Sequence, residues 1–256
     1  MGSALLGRHA LVTGGGRGIG AAIAAALVGE GCRVTLLGRD RARLEARAAD
    51  LPGEVRVVTA DVAERAAVAA ACAAARAATG EIDILVNNAG QAMSAPLAKT
   101  DAELWQRMLA VNLTGTYHCV HEVAPGMLAR GYGRIVNVAS TAGLTGYAYC
   151  AAYCAAKHGV VGLTRALALE FAAKNVTVNA VCPGFTDTDL IRDTLANIQR
   201  KTGRSEADAI AALVAHNPQR RLVTPAEVAN AVLWLCLPGA ESMTGQSIAV
   251  AGGEVS

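Results

Sequence analysis

Aromatic residues make up only 4% of this 256-residue sequence, and long apolar runs and paired cysteine motifs are missing from it. No stretch of about 18 apolar residues runs without a glycine, charged or polar interruption, so we predict no transmembrane helix. The seven cysteines show neither zinc-ligand spacing nor two CxxC pairs. We therefore predict no metal site and interpret the cysteines as reduced thiols that serve as small apolar residues.

Strong charge of either sign is also missing, because the formal net charge at pH 7 is only +2. The arginines within residues 39–47 alternate with Asp40 and Glu45, which is typical of a solvated helix face. We therefore predict no nucleic-acid partner. The first residues lack a charged segment ahead of a long apolar run, so we expect no signal peptide and a cytoplasmic location.

Hydrophobic residues, at 53%, are abundant enough for one large buried core. Short β-branched runs predict strands near 9–13, 33–37, 55–60, 83–87, 134–139, 176–181 and 247–250. Alanine- and leucine-rich segments between them predict helices near 18–29, 40–50, 64–79, 101–130, 150–173 and 225–237. This alternation predicts the α/β class, as a Rossmann-like doubly wound parallel sheet of about seven strands with helices on both faces.

Residues 186–222 break the alternation with helical, mixed-charge sequence that contains no strand pattern. We predict a single dinucleotide-binding and catalytic domain over residues 1–256. Within it, residues 186–222 are either a substrate lid at the carboxyl edge of the sheet or a surface helix that only adds stability.

The first predicted strand ends in TGGGRGIG, residues 13–20, and a helical pattern follows. Glycines in such a turn adopt positive φ and let the backbone approach a ligand, while the helix N-terminus attracts phosphate. Glycine-rich turns also serve purely structural needs. The position between a strand and a helix nevertheless favours dinucleotide binding.

Tyr153 and Lys157 are four residues apart in a predicted helix, so their side chains share one face. A phenol has a pKa of about 10, and a nearby ammonium lowers it. Tyr153 can then exchange a proton with a carbonyl or alcohol oxygen, and Ser140 can hydrogen-bond the same oxygen. A tyrosine and a lysine at this spacing are a weak signal without further motifs.

Further motifs occur in a fixed order along nearly the whole chain, and together they resemble the short-chain dehydrogenase/reductase family. They are TGxxxGxG at 13–20, Asp61-Val62, NNAG at 87–90, Asn112, Ser140, YxxxK at 153–157 and PGxxxT at 183–188. The resemblance implies a catalytic set of Ser140, Tyr153, Lys157 and Asn112, in which the asparagine holds a water that links the lysine to solvent. The implied cofactor site comprises Gly14, Arg17, Gly18, Ile19, Gly20, Arg39, Asp61, Val62, Asn88, Ala89, Gly90, Tyr153, Lys157, Pro183, Gly184, Thr186 and Thr188.

The end of the second predicted strand bears on which nicotinamide cofactor is used. Family members that use NAD usually place an acidic residue there, whereas this chain has Arg39, with Asp40 one position later. A guanidinium grips a phosphate through its planar fork, and Arg17 is a second basic residue in the glycine-rich turn. We expect NADP(H) to be preferred and NAD(H) to be possible; the alternative is that both arginines are only solvated.

Within the family, GRIVNVAS, KHGVVGLTRALALE and NVTVNAVCPGF resemble bacterial 3-oxoacyl and aromatic polyketide ketoreductases. The resemblance implies an NADPH-dependent reductase of a ketone or 3-oxoacyl thioester. A secondary-alcohol or 3-hydroxyacyl dehydrogenase is the alternative, and a non-catalytic dinucleotide sensor or scaffold subunit is a remote one. Family members are commonly homotetramers, which we expect here. The expected substrate-pocket residues are Met93, Leu144, Tyr147, Tyr149, Phe185 and Leu190.

Overall fold

The computed structural model describes residues 3–189, 191, 192, 195, 199, 200, 203 and 205–255. The strands are β1 His9–Thr13, β2 Arg33–Gly38, β3 Val55–Thr59, β4 Ile84–Asn87, β5 Gly133–Val138, β6 Val176–Pro183 and β7 Ser247–Val250. The helices are α1 Gly18–Gly29, α2 Arg41–Ala49, α3 Arg65–Thr79, α4 Ala102–Leu109, α5 Gly115–Arg130, α6 Ala151–Phe171, α7 Glu206–Leu213 and α8 Pro225–Cys236. Each predicted strand and helix is present with small shifts at its ends, except that the helix predicted for residues 101–130 is divided in two.

All seven strands lie in one parallel sheet, in the order β3-β2-β1-β4-β5-β6-β7. The order reverses direction at β1, which pairs with β2 on one side and with β4 on the other. In parallel sheets of this kind, the crevice at the reversal point and at the carboxyl ends of the strands receives ligands. The predicted doubly wound α/β fold is confirmed.

The sheet is covered on both faces, which explains why its central strands are apolar along their whole length. Every residue of β1, β4, β5 and β6 is buried. One core unites Val12 and Val86 with Leu27 of α1 and Val232 of α8. A second core lies on the opposite face, where α3, α5 and α6 contribute side chains.

Two helix starts show how local sequence sets the element boundaries. Thr224 caps α8: its hydroxyl accepts the Glu227 N–H, and the Glu227 carboxylate accepts the Thr224 N–H. This reciprocal arrangement satisfies two N–H groups that would otherwise lack partners, and it confirms the predicted helix start. Asp40 caps α2 with a single hydrogen bond, since its carboxylate accepts the Arg43 N–H at 3.1 Å.

The long helix predicted for residues 101–130 is interrupted. α4 and α5 are joined by a π-helical turn over Ala110–Thr114, whose wider spacing leaves Asn112 buried inside the protein. Such turns are frequent at functional sites. Among the described helices, none is long and apolar enough to cross a membrane.

The part of residues 186–222 that the structure describes contains α7 and no strand, apart from a single parallel bridge between Thr186 and Val223. Ile191, Leu195 and Ala209 form a small separate apolar cluster there. Phe185 and Leu213 pack against that cluster, which ties this segment to the edge of the sheet.

Candidate active site

A cavity of about 1420 Å³ runs along the carboxyl edge of the sheet. It reaches from the glycine-rich turn after β1, past the ends of β4 and β5, to the segment after β6. The four predicted catalytic residues line it, and so do all predicted cofactor residues except Gly20. Among the described residues, no group of three or more His, Cys, Asp or Glu side chains is placed to hold a metal ion.

Close contacts shape the glycine-rich turn, and only glycine satisfies them. Gly14 has a φ of +66°, and a Cβ on it would lie 2.8 Å from Asn88 Nδ2. A Cβ on Gly20 would lie 2.3 Å from the Gly14 carbonyl oxygen. Gly20 is therefore a correction to the predicted cofactor residues: it does not line the cavity but lets α1 approach the turn. Asn88 closes the turn by donating from Nδ2 to the carbonyl oxygens of Thr13 and Gly14.

The arginines at one end of the cavity have carboxylate neighbours. Arg39 lies 3.5 Å from Asp61, and Arg17 lies 3.8 Å from Asp189. Both guanidinium groups are exposed and line the cavity, so they can turn toward an anion. Asp40 also lines the cavity, but its carboxylate is used as the cap of α2.

Ser140 and Tyr153 both line the other end of the cavity. Ser140 lies just beyond β5, where its Oγ accepts the Ala142 N–H at 3.1 Å. Its hydroxyl proton thereby remains available for Tyr153, and a hydrogen bond with Ser140 lowers the tyrosine pKa. Tyr153 lies in the first turn of α6, whose N-terminal dipole also favours negative charge.

Lys157 is buried one helical turn further along α6, and its Nζ donates to the Val138 carbonyl oxygen at 2.9 Å. Asn112 lies nearby, since a Cβ on Gly90 would be 2.8 Å from Asn112 Oδ1 and 3.7 Å from Lys157 Nζ. The Asn112 side chain is held by the Gln91 N–H and the Met108 carbonyl oxygen. The absence of a side chain at Gly90 leaves room between these two polar groups.

Burial dominates the pKa values of Tyr153 and Lys157. Burial raises the pKa of Tyr153 to about 12, and the Ser140 hydrogen bond only partly opposes this. Burial lowers the pKa of Lys157 to about 8. Lys157 Nζ donates to the Val138 carbonyl oxygen and lies 5.7 Å from the centroid of the Tyr153 ring. The lowering of the tyrosine pKa by the lysine stays a prediction.

The predicted substrate residues divide into three groups. Met93, Tyr147, Tyr149 and Phe185 line the cavity. Leu144 does not: its side chain packs against the apolar cluster that contains Val160 and Val161, because the short helix at Thr141–Gly143 directs it toward α6. Leu190 lies outside the described residues.

Several residues at the site were not predicted from sequence. Thr13 at the end of β1 accepts the N–H groups of Asn88 and Ala89 through its Oγ1, which joins the two strand ends. Arg43 lines the cavity beside Gly16. Glu254, in the segment after β7, contacts the cavity residue Tyr147. Arg43 lies four positions after Arg39 in the same arginine-rich stretch, and that spacing could have indicated it. No feature of the sequence around Glu254 marks it as a site residue.

The residues present fit a nicotinamide dinucleotide. A side-chain-free turn before a helix N-terminus suits a pyrophosphate, and exposed cations suit a further phosphate. The Ser140, Tyr153 and Lys157 groups lie at the opposite end of the same cavity, where redox chemistry at a carbon–oxygen bond needs a proton donor. Fold and site together define the class of dinucleotide-dependent oxidoreductases.

Comparison with known proteins narrows that class. The model of the family described as short chain dehydrogenase matches residues 8–199. A protein named for ketoacyl reduction in the granaticin polyketide synthase of Streptomyces violaceoruber is 43% identical, over 95% of this chain and 92% of its own. Acetoacetyl-CoA reductase of Rhizobium meliloti is 39% identical, over 97% and 99% of the two chains.

A solved structure of an actinorhodin polyketide ketoreductase variant with NADPH superposes with a TM-score of 0.93. It is 40% identical and the match covers 99% of each chain. The chain belongs to the short-chain dehydrogenase family and is an oxidoreductase that resembles the bacterial ketoreductases.

Proposed function

We propose that this protein is an NADPH-dependent reductase that converts a ketone or 3-oxoacyl thioester into a secondary alcohol, with Tyr153 as the acid. The observation that carries the proposal is that Ser140, Tyr153 and buried Lys157 line the same cavity as the glycine-rich turn. The similarity to an NADPH-containing polyketide ketoreductase and to an acetoacetyl-CoA reductase supports the substrate class.

Tyr153 is the proposed proton donor for the reduction. With a pKa near 12, the phenol is protonated at neutral pH and ready to donate. When bound, the dinucleotide supplies the hydride. Ser140 and Tyr153 hydrogen-bond the carbonyl oxygen, and Tyr153 gives it a proton. Lys157 and Asn112 restore that proton from solvent, because they lie together behind the phenol at Gly90.

A substrate panel tests this function. Ketones, 3-oxoacyl thioesters and secondary alcohols are each assayed with NADPH, NADH and their oxidised forms. We expect carbonyl reduction with NADPH to give the highest kcat/KM. Faster alcohol oxidation at neutral pH would favour the dehydrogenase alternative, and tight NADPH binding without turnover of any compound would favour a sensor.

The preference for NADP(H) is supported by the use of the Asp40 carboxylate as a helix cap, while Arg39, Arg17 and Arg43 line the cavity. Arg39→Asp is expected to lower kcat/KM for NADPH by about 10- to 100-fold, since charged hydrogen bonds contribute about 1.5–3 kcal/mol, and to improve use of NADH. Arg41→Asp is the matched control, because Arg41 is exposed and pairs with Glu45. Unchanged NADPH kinetics without any gain for NADH would contradict the assignment.

Residues 186–222 are proposed to act as the substrate lid. Thr188 and Asp189 contact the glycine-rich turn: Asp189 pairs with Arg17, and Thr188 Cγ2 lies 3.2 Å from the position of a Cβ on Gly18. Ile191 and Leu213 line the cavity from the same segment. The segment therefore contacts both the cofactor end and the substrate end of the site.

A homotetramer, formed through the long helices, is also proposed. An apolar groove lies between α5 and α6, lined by Tyr117, Pro125, Leu163 and Leu167 among others. A charge placed there opposes burial against another copy. Light scattering is expected to give four times the 26.1 kDa chain mass, and Leu167→Glu to lower it. Leu6→Glu, at an exposed residue outside the groove, should not change the mass. A monomeric wild-type protein would rule this out.

A further inference from the structure

Tyr147 is fixed on three sides at the substrate end of the cavity. Its hydroxyl oxygen lies 2.8 Å from Thr141 Oγ1 and 2.6 Å from Glu254 Oε1. Its ring meets the Phe185 ring edge to face, with centroids 6.2 Å apart at 84°. A single side chain therefore joins the loop after β5, the segment after β6 and the segment after β7.

The direction of these hydrogen bonds follows from the number of protons. A phenol carries one proton and a carboxylate carries none, so Tyr147 donates to Glu254 and accepts from Thr141. Hydrogen bonds to a charged acceptor are the stronger kind. Burial and the Glu254 hydrogen bond both raise the pKa of Tyr147, which keeps the phenol protonated and the connection intact at neutral pH.

The backbone conformation after β7 places the Glu254 carboxylate next to the Tyr147 hydroxyl. Gly252 and Gly253 both have positive φ, and Cβ atoms on them would lie 2.3 Å from Asn217 Oδ1 and 3.2 Å from Pro218 Cγ. The segment is thus wedged between residues 217–218 and Gly184. A Cβ on Gly184 would lie 2.9 Å from Glu254 Oε2.

Glu254 Oε2 is buried and has no hydrogen-bond partner among the described residues. A buried acceptor without a hydrogen-bond partner lowers the free energy of unfolding. We therefore look for a function of Glu254 that explains why the residue is present. Among the described residues, the hydrogen bond from Tyr147 to Oε1 is the only one that the Glu254 carboxylate makes. That function is therefore to be sought at Tyr147, which lines the cavity.

We propose that Glu254 is a positioning residue that sets substrate specificity, by holding Tyr147 as a rigid wall of the substrate pocket. This inference rests on the proposed carbonyl reductase function. Tyr147 lines the same cavity as Ser140 and Tyr153. Its partner Thr141 follows Ser140 in the chain, and its partner Phe185 follows Gly184. A ring that is already fixed loses no side-chain freedom when a bulky substrate binds against it, which favours binding of that substrate. A small substrate that does not reach the ring binds equally well whether the ring is fixed or mobile.

The test compares the smallest and the bulkiest carbonyl compounds that the wild-type protein reduces with NADPH. Tyr147→Phe keeps the ring and removes the hydroxyl, and Glu254→Ala removes the acceptor. Each is expected to raise KM for the bulky compound by about 3- to 10-fold, the range that fits the ordering of one side chain. We expect the loss to be larger for the bulky compound than for the small one and to fall on KM rather than on kcat, and the NADPH dissociation constant measured by fluorescence to stay within about 2-fold of wild type.

Three further variants make the result specific. Tyr147→Phe combined with Glu254→Ala should be no worse than either change alone, because both break one interaction. Glu254→Gln, whose amide oxygen still accepts from Tyr147, should behave like wild type. Tyr132→Phe removes a phenol outside the cavity and keeps the ring that lies against Arg8 and Arg134, so it is the matched control. If Glu254→Ala fails to fold, Tyr147→Phe carries the test.

Three outcomes would overturn the inference while leaving the proposed function in place. They are additive effects in the double variant, equal losses for the small and bulky compounds, and a Glu254→Gln variant as impaired as Glu254→Ala. A wild-type protein that reduces no carbonyl compound with either dinucleotide contradicts the proposed function itself.

Discussion

Replacing Tyr153 with phenylalanine is expected to lower kcat/KM for carbonyl reduction by about 1,000-fold, within the range for loss of a general acid. The change removes the proton donor and leaves a ring of the same shape in the first turn of α6. The bond to Ser140 is lost, but Lys157 keeps its own contact with Val138. NADPH binding, followed by fluorescence, should therefore persist while NADPH oxidation nearly stops.

Tyr149→Phe is the matched control for this result, because Tyr149 also lines the cavity. Its hydroxyl has no assigned part in proton transfer, so a loss of no more than about 10-fold is expected from one hydrogen bond. A Tyr153→Phe protein that retained most of its activity would show that another group donates the proton. Loss of NADPH binding in that variant would instead show that the tyrosine serves mainly to hold the cofactor.

Replacing Lys157 with methionine is expected to separate activity from stability. Activity should fall by about 100-fold, because the group that assists proton transfer behind Tyr153 is removed. Stability at neutral pH should be unchanged or higher, because a buried ammonium is costly and methionine fills similar space. Kinetic assays and thermal unfolding of the same preparations measure the two effects.

The pH dependence of that stability difference has a definite sign. Burial lowers the folded-state pKa of Lys157 to about 8, below the unfolded value of about 10.4. Between these values the unfolded chain holds a proton that the folded protein has lost, so wild-type stability gains relative to the variant as pH rises. The advantage of Lys157→Met should shrink between about pH 8 and 10.

Lys174→Met is the control, since Lys174 is exposed and should show no such trend. A difference in Tm between Lys157→Met and wild type that stayed constant from neutral to alkaline pH would contradict the assignment of the cost to the buried ammonium.

Much of the fold was predictable because its signals are local. Runs of buried β-branched residues, such as those of β1 and β6, need apolar surroundings on both faces, which only a parallel sheet between helix layers provides. The cap at Thr224 and the glycine-rich turn are equally local. Tyr153 and Lys157 share a helix face by spacing alone, so their proximity required no tertiary information.

Other features depended on contacts between distant segments. The π turn at Asn112 was not visible in the helical pattern of residues 101–130, because its position is set by burial of that side chain against Gln91 and Met108. Leu144 was expected at the substrate pocket because it lies near Ser140 in the chain. In the structure, the short helix after Ser140 packs against α6, and the Leu144 side chain therefore contacts a small apolar cluster.

By itself, the sequence determined the sheet, the glycine-rich turn and the identity of the residues that line its carboxyl edge, since each depends on short-range pattern and backbone freedom. Only the tertiary structure decided how those residues act on one another. In the folded protein, Asp40 caps a helix, Lys157 donates a hydrogen bond to the Val138 carbonyl oxygen, and Glu254 accepts one from Tyr147, 107 positions away in the chain. Burial and side-chain direction set those interactions, and both arise when segments distant in sequence pack together.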